Sequence, residues 1–123
     1  MRQPSSLGVQ IEDAFSRCAD YVIHPIGHTK KVLRYLTVNK TPFAIRRDVV
    51  GKGRFWFGAD DRLKLAIEAE GFSCGSSEAN RRGDAATGRT SNLDQIPEFK
   101  GNLIYWTTVT TPDEALVVAA KMR

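Results

Sequence analysis

TPFAIRRDVVGKGRFWFGADDRLKLAIEAEG, residues 41–71, is the stretch whose reading decides the fold. Phe43, Ile45 and Val49 fall on odd positions, and Ala44, Arg46 and Asp48 on even ones. That is the period-two pattern of a half-buried strand. Arg47 interrupts the apolar side, as a bend or a side chain that snorkels outward would. Gly51-Lys52-Gly53 then supplies two residues able to take positive φ, which suits a tight hairpin. The return strand places Phe55 and Phe57 on one face, Arg54 and Trp56 on the other. After it, Asp60 or Asp61 caps a helix whose buried stripe is Leu63, Ala66 and Ile67, and Gly71 supplies its left-handed stop.

If the phenylalanines are core, the opposite face carries Arg46, Arg54 and Trp56 side by side, with Lys52 at the tip. An aromatic ring among cations is a reasonable nucleic-acid platform, because the ring stacks on a base while the cations hold phosphates. A competing reading makes Trp56 part of the core, since one sheet face of a small domain is often covered.

Working outward, Leu7, Ile11, Phe15 and Cys18 recur at helical spacing, giving a first helix capped by Ser5 or Ser6 and running to about Asp20. Tyr21-Val22-Ile23 reads as a short strand or as that helix's tail. His24 and His28 stand four apart, but Pro25 and Gly27 between them oppose a helix and no third ligand lies nearby. No metal site or cofactor is expected, and each histidine is at most a weak candidate for a catalytic base. Val32, Leu33 and Leu36 suggest a second helix over Thr29–Thr37, with Lys30, Lys31 and Arg34 on its solvated side. Pro42 ends it.

Beyond Gly71, Phe72-Ser73-Cys74 reads as a brief strand. Residues 75–90, GSSEANRRGDAATGRT, lose all periodicity and predict a mobile basic loop carrying Arg81, Arg82 and Arg89. Its Gly83–Thr90 portion has P-loop spacing with arginine in place of lysine, and no strand precedes it. Arg89, Ser91 and Asn92 make a candidate anion-gripping turn. Leu103–Val109 is β-branched and aromatic, a central strand. Thr111-Pro112-Asp113-Glu114 is a capping box, and it opens a final helix along Ala115, Leu116, Val118, Ala119 and Met122.

The chain has 123 residues and a net charge of +4, which allows a polyanionic partner without requiring one. Two cysteines are too few for a disulfide framework. No apolar run reaches membrane length, and Met1-Arg2-Gln3-Pro4 does not resemble a signal peptide, so a cytoplasmic protein without membrane contact is expected. The sum is one α+β domain over residues 1–123 in the order α-α-β-β-α-loop-β-α. It has a mainly antiparallel sheet of three to five strands with helices mostly on one face. The leading functional expectation is a nucleic-acid-binding or accessory protein using Arg46, Lys52, Arg54, Trp56 and the arginines of the loop. The alternatives are an interaction module or homodimer without enzymatic activity, using an exposed Trp56, Tyr105 or Trp106, and an enzyme on a phosphorylated or nucleic-acid substrate.

Overall fold

The computed structural model describes residues 7–29, 32–46, 53–77, 96–99 and 102–122. Its elements are α1 (Leu7–Ser16), β1 (Tyr21–Ile23), β2 (Val32–Thr37), β3 (Pro42–Arg46), β4 (Gly53–Gly58), α2 (Asp61–Ala69), β5 (Cys74–Ser77), β6 (Ile104–Val109) and α3 (Pro112–Ala120). The strands form one six-stranded sheet in the order β1-β2-β3-β4-β6-β5. Every neighbouring pair is antiparallel.

The central hairpin pairs as its alternation requires, with Phe43 opposite Phe57 and Ile45 opposite Phe55. These four side chains are fully buried and meet Leu7, Ile11 and Phe15 of α1, Ile67 of α2, and Ala115, Val118 and Ala119 of α3. All three helices of the described residues therefore contribute to the core on this face. The rings of Phe15, Tyr35, Phe43 and Phe55 run through it, with consecutive centroids 5.0, 5.5 and 5.1 Å apart. Such spacings add offset-stacking energy to area burial.

The helix starts follow from their cap residues. Asp60 accepts the amides of Arg62 and Leu63 at 3.0 and 3.2 Å, and Gly71 leaves α2 at φ 97°. Thr111 accepts the amide of Glu114 at 3.1 Å. Glu114 reaches one residue further back than a standard capping box and accepts the hydroxyl and amide of Thr110. The Thr110 hydroxyl, then its amide, hold the Glu114 carboxyl below the usual carboxylate range.

Three sequence expectations need correction. Residues 32–37 are a strand and not the expected second helix. Val32, Leu33, Arg34 and Tyr35 are all buried because β2 is covered on both faces, so alternation is lost and a helix-like spacing is left behind. The sheet has six strands and not three to five, because β2 joins it; residues 75–77, expected in the loop, belong to β5. The brief strand expected at residues 72–74 accordingly starts at Cys74 and runs on from there. Residues 78–95, which hold the rest of the expected basic loop, lie outside the described residues.

Candidate nucleic-acid interface

The face opposite the helices is built from the even positions of the hairpin. Register carries one row straight across the sheet, Arg34–Ala44–Trp56–Trp106–Gly75. The neighbouring row holds Val32 opposite Arg46 and Arg54 opposite Thr108. Extending the β3–β4 register one step places Arg46 across from Arg54. The alternation thus groups Arg46, Arg54 and Trp56 on one face as expected.

That face is covered at its centre. Ile96 and Phe99, both fully buried, pack with Val32, Ala44, Trp56 and Ile104, and Trp56 is only 1% exposed. Its indole Nε1 is enclosed with no hydrogen-bond partner among the described residues. A base cannot stack on this ring, so Trp56 leaves the set of candidate contact residues. Proline and glycine around residues 96–101 signal a turn, and nothing in the turn's own sequence says which side of the sheet it lies on.

At the β2 end the expected solvated side is also closed. Arg34 is 3% exposed, and its guanidinium donates to the carbonyls of Gly27 and of Ile26, the latter at 3.1 Å. Burial draws its pKa below the usual guanidinium value, although arginine keeps its charge. His28 Nδ1 accepts the Arg34 amide at 2.9 Å, which fixes the turn over residues 24–29 against the strand. His24 is buried too. Its Nδ1 accepts the Ile26 amide at 3.2 Å, and its Nε2 lies 3.4 Å from Glu98 Oε2. With Nδ1 accepting, Nε2 carries the ring proton. His24 therefore links the 24–27 turn to the 96–99 turn.

On the β4–β6–β5 side this face is only partly covered by the described residues. Arg46, Arg54 and Trp106 are each half-buried. The Arg54 guanidinium carbon sits 4.1 Å from the Trp106 ring centroid, a cation–π contact. The indole also crosses Gly75 so closely that an added Cβ would lie 2.4 Å from Cζ2 and 2.6 Å from Cε2. Glycine at position 75 is what lets the ring lie there. Tyr105 points to the helix side, donating to Asp61 Oδ1 at 2.6 Å, and that acceptor raises the phenol's pKa. Burial likewise raises the Cys74 thiol, which disfavours a reactive thiolate.

In the sequence alone, Trp106 is a candidate contact residue only for another protein. The alternation within β6 shows that Trp106 and Thr108 share a face. Placing that face beside Arg54 needs the β4–β6 register, which no local pattern reveals. Lys52, Arg81, Arg82, Arg89, Ser91 and Asn92 lie outside the described residues. Among the described residues, no three His, Cys, Asp or Glu side chains gather as metal ligands, and no helix is long and apolar enough to cross a membrane.

Comparison with protein families, with characterised proteins and with solved structures gives no match to this chain.

Proposed function

We propose that this protein binds single-stranded nucleic acid without catalysing a reaction on it, through a ledge formed by Arg46, Arg54 and Trp106. The observation that carries the reading is the guanidinium of Arg54 held over the half-buried Trp106 ring on the sheet face opposite the helices. A guanidinium positioned in this way loses less side-chain freedom on meeting a phosphate than a mobile one. It also offers its own plane for a base to stack on. Lys52, between β3 and β4, and Arg81, Arg82 and Arg89, after β5, add positive charge in chain segments that adjoin these strands. The net charge of +4 agrees with modest, salt-sensitive affinity.

Fluorescence anisotropy of a labelled oligonucleotide tests this. Affinity is expected to fall steeply between low and physiological salt. Trp106→Ala is expected to weaken binding by about 1–3 kcal/mol, the usual worth of an aromatic stacking platform. Arg54→Gln is expected to weaken it and to flatten the salt slope by about one unit. Binding unaffected by salt and by both substitutions would remove the reading.

A second reading, an interface with another protein chain, has one observation in its favour. Val22 and Ile23 on the edge strand β1, with Val38 beside its start, are 55%, 56% and 60% exposed. Apolar edges of this kind attract other strands, although β1 has only three residues. Sedimentation of the protein as a monomer at micromolar concentration would count against self-association there.

A further inference from the structure

On the helix side of the sheet, a cavity of about 320 Å³ opens where the start of α2, the end of α3 and the turn between β2 and β3 come together. Leu63, Ala66 and Met122 give it apolar walls, and Thr41, Asp60, Arg62 and Lys121 give it polar ones. We propose that this cavity binds a small zwitterion, an α-amino acid with an aliphatic side chain. None of the ledge residues Arg46, Arg54 and Trp106 lines it, so the two sites are independent.

Charge selects the ligand class. Asp60 accepts the amides of Arg62 and Leu63 through Oδ1, and its Oδ2 makes no hydrogen bond or ion pair among the described residues. The exposed Arg62 guanidinium likewise has no partner among them. These two charges do not satisfy each other, because side chains two positions apart at the head of a helix do not meet. Lys121, the third charge in the lining, is already bonded to Glu70 at 2.7 Å. The cavity thus keeps one carboxylate oxygen and one guanidinium open. A simple anion at Arg62 would lie beside the Asp60 carboxylate, and a simple cation at Asp60 would lie beside Arg62. A molecule carrying both charges meets each with its opposite. Its carboxylate takes the planar Arg62 fork, and its ammonium donates to Asp60 Oδ2. Leu63 and Ala66 are only half-buried, so they leave apolar surface for an aliphatic side chain to cover. A volume of about 320 Å³ lies at the small end of ligand pockets, roughly 300–1,000 Å³, which suits a single amino acid.

The test titrates three probes into the unaltered chain at constant pH, followed by ¹H–¹⁵N NMR. They are L-leucine, 4-methylpentanoate (leucine without its ammonium) and 3-methylbutan-1-amine (leucine without its carboxylate). Leucine is expected to bind about fivefold more tightly than either analogue, as one exposed ion pair gained and one like-charge approach relieved would give. Its shifts should centre on Thr41, Asp60, Arg62, Leu63, Ala66 and Met122. Asp60→Asn, which keeps a good helix cap, is expected to remove leucine's advantage over 4-methylpentanoate. Arg62→Gln is expected to remove its advantage over 3-methylbutan-1-amine. An analogue that binds as tightly as leucine, shifts centred elsewhere, or no response at millimolar concentration would each overturn the proposal. The ranking of the three probes on the unaltered chain decides the matter even if a variant folds poorly.

Discussion

Trp56→Ala is expected to cost about 3–5 kcal/mol of folding stability, the range for deleting a buried tryptophan side chain. The ring is 1% exposed, lies at the centre of the face opposite the helices, and is enclosed by Val32, Ala44, Ile96, Phe99 and Ile104. Removing it undercuts the 96–99 turn that His24 and Glu98 help to fix. Total stabilities of single domains are about 5–15 kcal/mol, so this one change can consume most of the margin. Trp56→Phe is expected to cost much less. It keeps most of the apolar volume and deletes an enclosed N–H without a partner among the described residues, a group whose desolvation opposes folding. Urea unfolding monitored by circular dichroism measures both. If Trp56→Ala unfolds at the same midpoint as the parent but loses oligonucleotide binding, the indole is a contact residue after all and the burial is wrong.

The second large effect concerns Gly75. Gly75→Ala is expected to destabilise by about 1–3 kcal/mol, as overpacking does, and to weaken nucleic-acid binding as well. The new Cβ would lie 2.4–3.0 Å from three atoms of the Trp106 indole, so the ring must leave. In leaving, it gives up its contact with Arg54. Replacing glycine by alanine within a strand ordinarily gains about 0.5–1 kcal/mol through backbone entropy, which offsets only part of that loss. Gly58 provides the control, because a Cβ there meets nothing within 4 Å. Gly58→Ala should therefore be neutral or mildly stabilising. In a Trp106→Ala background the cost of Gly75→Ala is expected to vanish, since the clash has no partner left. A cost that persisted there would show that Gly75 serves some purpose unrelated to the indole.

These two positions also show what the sequence discloses and what it withholds. The alternation around Phe43, Ile45, Phe55 and Phe57 identified a hairpin with one core face, and the Thr111-Pro112 start located α3, because both signals are local. Strand β2 carries a helix-like spacing because a strand buried on both faces has no polar alternation to show. Arg34, the most polar residue in it, is hidden by carbonyls of a turn several residues earlier. The fate of Trp56 was undecidable for a related reason. What covers it comes from residues 96–99, some forty positions along the chain. The Arg54–Trp106 pair was invisible until β4 and β6 were known to be neighbours, since register is a property of two strands and not of either alone.

The most direct test of the ledge uses the chain's two tryptophans. Each contributes one indole N–H signal to a ¹H–¹⁵N spectrum, assignable from Trp56→Phe and Trp106→Phe variants. On titration with a single-stranded oligonucleotide at low salt, the Trp106 indole and the Arg54 Nε–H signal are expected to shift together, while the Trp56 indole stays in place. A titration in which the Trp56 signal moves and that of Trp106 does not, or in which neither responds to saturating oligonucleotide, would contradict the account.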